Sequence, residues 1–248
     1  MGKETQLIFG RHPVIEAIKD GKTFDRVLLQ KGTHGEFEVS IRHLTRDFDI
    51  PLQIVPKERL ERWTRKNHQG IIGLLSEIPY YKVEDVLPMI YEKGETPLFL
   101  LLDGVTDVRN FGAIARSAEI MGVHAIVVPH KGAAQINGIA IKTSAGALTK
   151  MPVCREKSLV STIEFLKMNG IKTFTSDLKA EKSITDLDLT GPAALIIGSE
   201  WEGVSTHVAR EAEERFIIPQ RGEGDSLNVS VATGIALYEA DRQRRMLN

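Results

Sequence analysis

The chain has 248 residues and a single cysteine, Cys154. One thiol cannot close an intrachain disulfide, and this fits a reducing compartment. Cys154 itself reads as a small, buried, apolar side chain. Long hydrophobic runs are also missing. Stretches such as Leu98–Leu102 and Ala193–Ile197 fall far short of the about 20 residues that span a bilayer. The opening Met-Gly-Lys-Glu-Thr-Gln has no apolar signal region, so no membrane association and a cytoplasmic location are expected. Neither sign of charge dominates. A net charge of −1 argues against an indiscriminate polycation, yet a local basic patch is enough to bind nucleic acid. The histidines at 12, 34, 43, 68, 124, 130 and 207 stand at no ligand spacing with cysteine or carboxylates, so no metal site is expected. There is no G-x-x-x-x-G-K-[ST] stretch. Gly222-x-Gly224 lacks the third glycine and the later acidic residue of a dinucleotide fingerprint. Repeats and low-complexity tracts are absent too.

What is present is a chain able to bury a real core, with 42% hydrophobic residues. Residues 1–78 alternate helix and strand on a small scale. His12–Ile18 and Glu36–Phe48 read as helices, and Arg26–Leu29, Leu52–Val55 and Gly70–Leu75 as strands. A helix is expected after Pro56. Arg59, Arg62 and Lys66 then fall at i, i+3 and i+7 on one face. That stripe fits either a solvated surface or contacts to phosphates. The segment carries 13 Lys and Arg against 11 Asp and Glu, too small an excess to choose between them. Residues 79–97, with three prolines, a glycine and one short apolar helix, read as a linker.

From Leu98 onward strands and helices alternate strictly. Strands are expected at Leu98–Asp103, Ala125–Val128, Pro152–Cys154, Ile171–Thr175, Ala193–Ile197 and Arg215–Ile218. Helices are expected at Asn110–Met121, Ile139–Leu148, Leu159–Met168, Val204–Ala212 and Leu227–Arg245. Such alternation predicts an α/β fold with a mainly parallel sheet covered on both faces. Ligands in these sheets bind at the carboxyl ends of the strands. Three polar stretches follow strand ends. Asp103–Arg116 includes Asn110, a good N-cap, and Arg116 farther along the same helix. Gly198-Ser199-Glu200 leaves a strand through a glycine and a carboxylate. Gly222–Asn228 puts a glycine loop before a helix opened by Ser226, with Leu227, Val231, Ile235 and Tyr238 as inward residues. Taken singly, these are also the marks of a cap, a solvated arginine and a tight turn.

Taken together, Asp103–Arg116, Ile196–Val204 and Ile217–Asn228 resemble, in order and spacing, the three motifs of the SpoU (TrmH-like) family of SPOUT RNA ribose 2′-O-methyltransferases. The likeness is nearest to the group acting on a guanosine of 23S ribosomal RNA. Phe9-Gly10-Arg11-His12-Pro13-Val14 and His68-Gln69-Gly70-Ile71 resemble the ribosomal-protein-L30-like domain that precedes the catalytic domain in many of these enzymes. The resemblance implies an RNA substrate-binding domain over 1–78 and a catalytic domain over 98–248. It implies a trefoil-knotted, mainly parallel sheet in that second domain, with S-adenosylmethionine as cofactor. Gly198, Ile217, Ile218 and Leu227 would line the cofactor, with Thr143, Ser144, Ala145 and Gly146 opposite. Asn110, Arg116, Glu200, Ser226 and Asn228 would be catalytic, with Arg116 central. A guanidinium with a pKa above about 12 suits a phosphate clamp or alkoxide stabiliser better than a base. Arg11, Arg59, Arg62 and Lys66 would hold RNA, and a homodimer is implied. The alternatives are a transfer-RNA ribose methyltransferase and a non-catalytic knotted RNA-binding protein. The departures at Pro13, Val108, Trp201 and Gly222–Asp225 alter loop shape more than chemistry.

Overall fold

A computed structural model describes residues 6–222, 224 and 226–246. The start of the chain, on which the absence of a signal region was read, lies outside these residues up to Thr5, as does part of the Gly222–Asp225 loop. Two compact units are present, one of Met1–Pro79 with Ile136–Gly138, the other of Tyr80–Gln135 with Ile139–Asn248.

The first unit runs β1 (Leu7–Phe9), α1 (Arg11–Lys19), β2 (Phe24–Gln30), α2 (Glu36–Asp47), β3 (Leu52–Val55), α3 (Lys57–Glu61) and β4 (Ile71–Leu75). Its sheet has the order β1-β4-β2-β3, with β4 antiparallel to both neighbours and β2 parallel to β3. Side chains alternate across β2 as the pleat requires. Val27 and Leu29 pack with Val14, Ile18 and Ile41 on one face, while Leu28 joins Val55, Leu60 and Ile72 on the other. The short strand β1 carries no sequence signal of its own.

The expected basic helix after Pro56 is only five residues long. Trp63 and Thr64 N–H both return to the Leu60 carbonyl. Three short side chains then capture the backbone in sequence: Thr64 Oγ1 accepts from Lys66 N–H, Asn67 Oδ1 from Gln69 N–H, and His68 Nδ1 from Gly70 N–H. Such local bonds compete with helical ones. Lys66 therefore lies off the helix, and Arg59, Arg62 and Lys66 do not form one helical stripe.

The second unit runs α4 (Val83–Glu92), β5 (Leu98–Asp103), α5 (Val108–Ile120), β6 (Ala125–Pro129), α6 (Gly138–Thr143), β7 (Val153–Glu156), α7 (Leu159–Met168), β8 (Lys172–Ser176), β9 (Ala193–Gly198), α8 (Thr206–Glu211), β10 (Glu214–Phe216) and α9 (Val229–Arg245). Its six strands are all parallel, in the order β10-β8-β9-β5-β6-β7. Every residue of β9 is buried, as expected of a strand covered on both faces. Phe99, Leu101, Val127 and Ile196 pack with Val86, Ile90, Ile163 and Leu166, which lays α4 and α7 on one face. The stretch expected to be a linker thus contributes a helix to this core. Cys154 is buried here, and burial, followed by Glu156, pushes its thiol up to about 12.

Several expected helices begin or end elsewhere. Asp107, not Asn110, caps α5, its Oδ1 accepting from the N–H groups of Arg109 and Asn110. Asn228, not Ser226, caps α9, its Oδ1 accepting from Ser230 N–H. The expected helix Ile139–Leu148 breaks after Thr143, where Ala145 and Gly146 take left-handed φ values of 51° and 85°. On α9 three residues expected to face inward face outward: Val231, Ile235 and Tyr238 are 50%, 39% and 51% exposed. The buried positions are Val229, Thr233, Ala236, Leu237, Glu239 and Ala240, and α9 packs against α5 and β9. The end of α9 is tied down by Arg244, whose guanidinium donates to the carbonyls of Leu189, Thr96, Pro97 and Gly191.

Candidate active site

The polar corner of the second unit is built from the carboxyl ends of β5 and β9 and from the starts of α5 and α9. β5 ends in Asp103, whose Oδ2 accepts from both the N–H (2.8 Å) and the hydroxyl (2.6 Å) of Ser205. This bond fixes the chain that returns from β9. Gly198 ends β9, and a Cβ there would lie 1.9 Å from the Gly203 carbonyl carbon. Only glycine lets the chain double back so closely on itself. Between them Ser199–Gly203 closes as a tight turn, with Ser199 N–H donating to Gly203 C=O and Gly203 N–H to Ser199 C=O, both at 3.0 Å.

This turn presents Glu200 to the two helices. Asn228 Nδ2 donates to Asn110 Oδ1 at 3.2 Å, and Glu200 accepts from Asn110 Nδ2 and Asn228 Nδ2 at 3.5 Å each. Gly234 of α9 faces Ser117 of α5, two turns beyond this contact on both helices, so the helices run side by side in the same direction. Three sequence-predicted residues, Asn110, Glu200 and Asn228, thus meet. Ser226 is exposed two residues before Asn228.

Arg116 does not join this cluster. It stands six residues after Asn110, about 120° around the helix, exposed and close in phase to Arg109. The Glu200 carboxylate is held by the two asparagines instead. Of the residues expected at the cofactor, Ile217, Ile218 and Leu227 are partly exposed and Gly198 is buried. The Thr143–Gly146 turn packs against α5, where a Cβ on Gly112 would lie 2.7 Å from Thr143 Cβ. Ser144 is used structurally, donating to Ile141 C=O and accepting from Leu148 N–H. The residues that sequence reasoning missed are Asp103, Ser205 and Ser230, whose hydroxyl donates to Asn228 Oδ1 at 2.6 Å. Only Asp103 carried a signal, as a carboxylate closing a buried strand.

In the first unit a polar recess of about 870 Å³ lies among Arg11, Lys57, Arg65, Lys66, His68 and Gln69. Arg11 lies over the Phe37 ring at 4.4 Å, and its backbone N–H donates to Gln69 Oε1. Arg11 and Lys66 are therefore brought together, whereas Arg59 and Arg62 are not part of this lining. Among the described residues, no group of three or more His, Cys, Asp or Glu is arranged to hold a metal ion, and no helix is long and apolar enough to cross a membrane.

A parallel sheet with its polar corner at the strand carboxyl ends, in one chain with a small mixed α/β unit that carries a cationic recess, defines a two-unit α/β protein with a candidate ligand site at its strand ends. The family model for the SpoU rRNA methylases matches residues 97–238, and the model for RNA 2′-O-ribose methyltransferase substrate binding matches residues 7–81. The chain belongs to the SpoU rRNA methylase family. It is 36% identical to the 23S rRNA (guanosine-2′-O-)-methyltransferase RlmB of Photorhabdus laumondii, covering 97% of this chain and 99% of that protein. It is 34% identical to the RlmB of Yersinia pestis, covering 97% and 98%. The crystal structure of the SpoU methyltransferase AviRb from Streptomyces viridochromogenes with AdoMet superposes at a TM-score of 0.62, covering 98% of this chain and 92% of that one. At 24% identity that likeness is one of fold.

Proposed function

We propose that this chain transfers a methyl group from S-adenosylmethionine to the ribose 2′-hydroxyl of a guanosine in 23S ribosomal RNA. The observation that carries this reading is the Asn110–Glu200–Asn228 cluster, in a chain whose full-length relatives bear that activity in their names. The same reading has the enzyme in the cytoplasm, beside its RNA.

The residues fit the cofactor. Ile217, Ile218 and Leu227 are half-covered apolar side chains, and Leu227 directly precedes Asn228 of the polar corner, which suits an adenosyl group whose tail is charged. When bound, S-adenosylmethionine supplies an electrophilic sulfonium methyl, and much of the driving force is its own. The protein's part is placement. Holding hydroxyl and methyl in line is worth roughly 7–11 kcal/mol in favourable cases. Asn110, Glu200 and Asn228 form a rigid polar wall for the ribose, with Ser226 at its edge. Arg116 and Arg109, exposed along α5, meet the phosphate and the charge developing on the 2′-oxygen. The first unit holds RNA through the recess around Arg11, Arg65 and Lys66, and Arg59 and Arg62 on the nearby surface add a diffuse positive field. The C-terminal segments form the trefoil-knotted cradle, a reading supported by the match of residues 97–238 to the SpoU rRNA methylase family. The enzyme works as a homodimer, paired through the outward apolar stripe Val231, Ile235 and Tyr238.

The test is to incubate the protein with radiolabelled S-adenosylmethionine and either 23S ribosomal RNA or transfer RNA. Label at a single alkali-resistant linkage after a guanosine of 23S RNA is expected. Label in transfer RNA alone would move the substrate to that class, and no label in either would leave a knotted RNA-binding protein.

A further inference from the structure

Trp201 follows Glu200 directly and is 93% exposed, more than any other large apolar side chain among the described residues. Its backbone is not loose. The turn around it is closed by the paired Ser199–Gly203 backbone bonds, and Glu202 N–H donates to Ser199 Oγ at 3.1 Å. The turn is also pressed against Gly198, where no side chain fits. An indole is thus held out into solvent from a rigid base. It begins one residue, about 3.8 Å of Cα spacing, from the carboxylate that meets Asn110 and Asn228.

We infer that Trp201 is a stacking platform for an unpaired base of the RNA substrate, at or beside the nucleotide whose ribose is methylated. This rests on the methyltransferase reading above. Three features favour a base over other occupants. An indole face accepts any base, and unpaired bases in RNA are recognised by stacking on aromatic rings. Trp201 lies between Glu200 and Glu202, and two carboxylates repel a phosphate backbone, so the turn tip suits a base face rather than a duplex strand. The cations that would take the flanking phosphates, Arg109 and Arg116, stand apart on α5, exposed and with no ion pair among the described residues. The arrangement separates base from backbone and requires the target to be splayed out of a helix.

The chain has two tryptophans, so a Trp63→Phe background makes Trp201 the sole indole reporter in the full-length protein. Adding a short, single-stranded, mixed-sequence RNA should quench its emission, and a matched duplex should quench it much less. This arm reads stacking even if the oligonucleotide is not methylated, so its failure is distinct from an absence of methyl transfer by the parent protein. On 23S RNA, Trp201→Ala should raise the KM for RNA by about 5- to 150-fold, leaving the KM for S-adenosylmethionine and the melting temperature unchanged. Trp201→Phe should recover most of the loss. The inference is overturned if RNA leaves both emission and KM unaltered. It is equally overturned if dilution of the protein alone shifts the emission, which would make Trp201 a contact between two copies, or if S-adenosylhomocysteine alone quenches it, which would make it a cover for the cofactor.

Discussion

Side chains of the candidate site divide into those held by neighbours and those without a partner among the described residues. Asn110 and Asn228 are fixed by hydrogen bonds to each other and to the carboxylate, so they shape the site. Arg116, outside that cluster, is exposed and has no ion pair among the described residues, which leaves its charge unspent for the role proposed above. Replacing it should therefore cost chemistry and not folding. Arg116→Ala is expected to lower kcat by at least about 100-fold, the scale of losing one donor to a developing oxyanion, while S-adenosylmethionine binding by calorimetry and the thermal midpoint stay as they are. Retained turnover would remove Arg116 from the mechanism.

Secondary-structure elements decide how firmly this corner is held. The turn after Gly198 leaves no room for a methyl group, and the atoms in the way are backbone. Gly198→Ala should destabilise the protein by at least about 3 kcal/mol, the upper range for overpacking, read as a large drop in the denaturant midpoint. At the opposite ends of the strands, His124 accepts a hydrogen bond from Leu98 N–H and pairs with Glu95. Burial, outweighing the pull of Glu95, holds its pKa below the ordinary 6.5. The folded state thus binds fewer protons than the unfolded chain once pH drops below about 6.5, and stability declines from there down to the folded pKa. Removing the opposing carboxylate should enlarge the loss. Glu95→Gln is expected to lower acid-side melting temperatures more than those at pH 8, and an equal shift at both pH values would rule His124 out as the source.

At the scale of the whole molecule the question is which surfaces meet RNA and which meet a second copy. The recess of the first unit carries Arg65 and Lys66 but not Arg59 or Arg62. Arg65→Ala with Lys66→Ala should flatten the slope of log K against log salt by roughly 0.7–0.9 for each phosphate that is no longer neutralised. The pair Arg59→Ala with Arg62→Ala should change it less, and the reverse ranking would return the surface around α3 to the leading role. The stripe of Val231, Ile235 and Tyr238 is apolar and faces outward. Ile235→Glu, exposed in the single chain, should halve the sedimenting mass and reduce methyl transfer without lowering the melting temperature of the monomer. A mass already equal to one chain in the parent would exclude the dimer.

The alternation of apolar runs from Leu98 onward was enough to determine a parallel α/β sheet, since strands buried on both faces must read as continuous apolar segments. The glycine and carboxylate leaving a buried strand likewise stood out at Gly198 and Glu200, because a sharp turn imposes local demands that one short stretch can meet. The local pattern opened the last helix at Ser226, however, and only the resemblance to the SpoU motifs singled out Asn228. Three things were beyond local pattern. The basic stripe after Pro56 dissolved because the side chains of Thr64, Asn67 and His68 take up backbone N–H groups in competition with helical bonds. Val231, Ile235 and Tyr238 have the spacing of a core face, yet α9 turns another face inward, with Val229, Thr233, Ala236, Leu237 and Ala240 buried. Asp103 finds Ser205 across 102 positions of sequence, and Asn110 finds Asn228 across 118. Such pairings exist only once the sheet has set its strand order, for no periodicity within a segment encodes which distant strand will lie beside it.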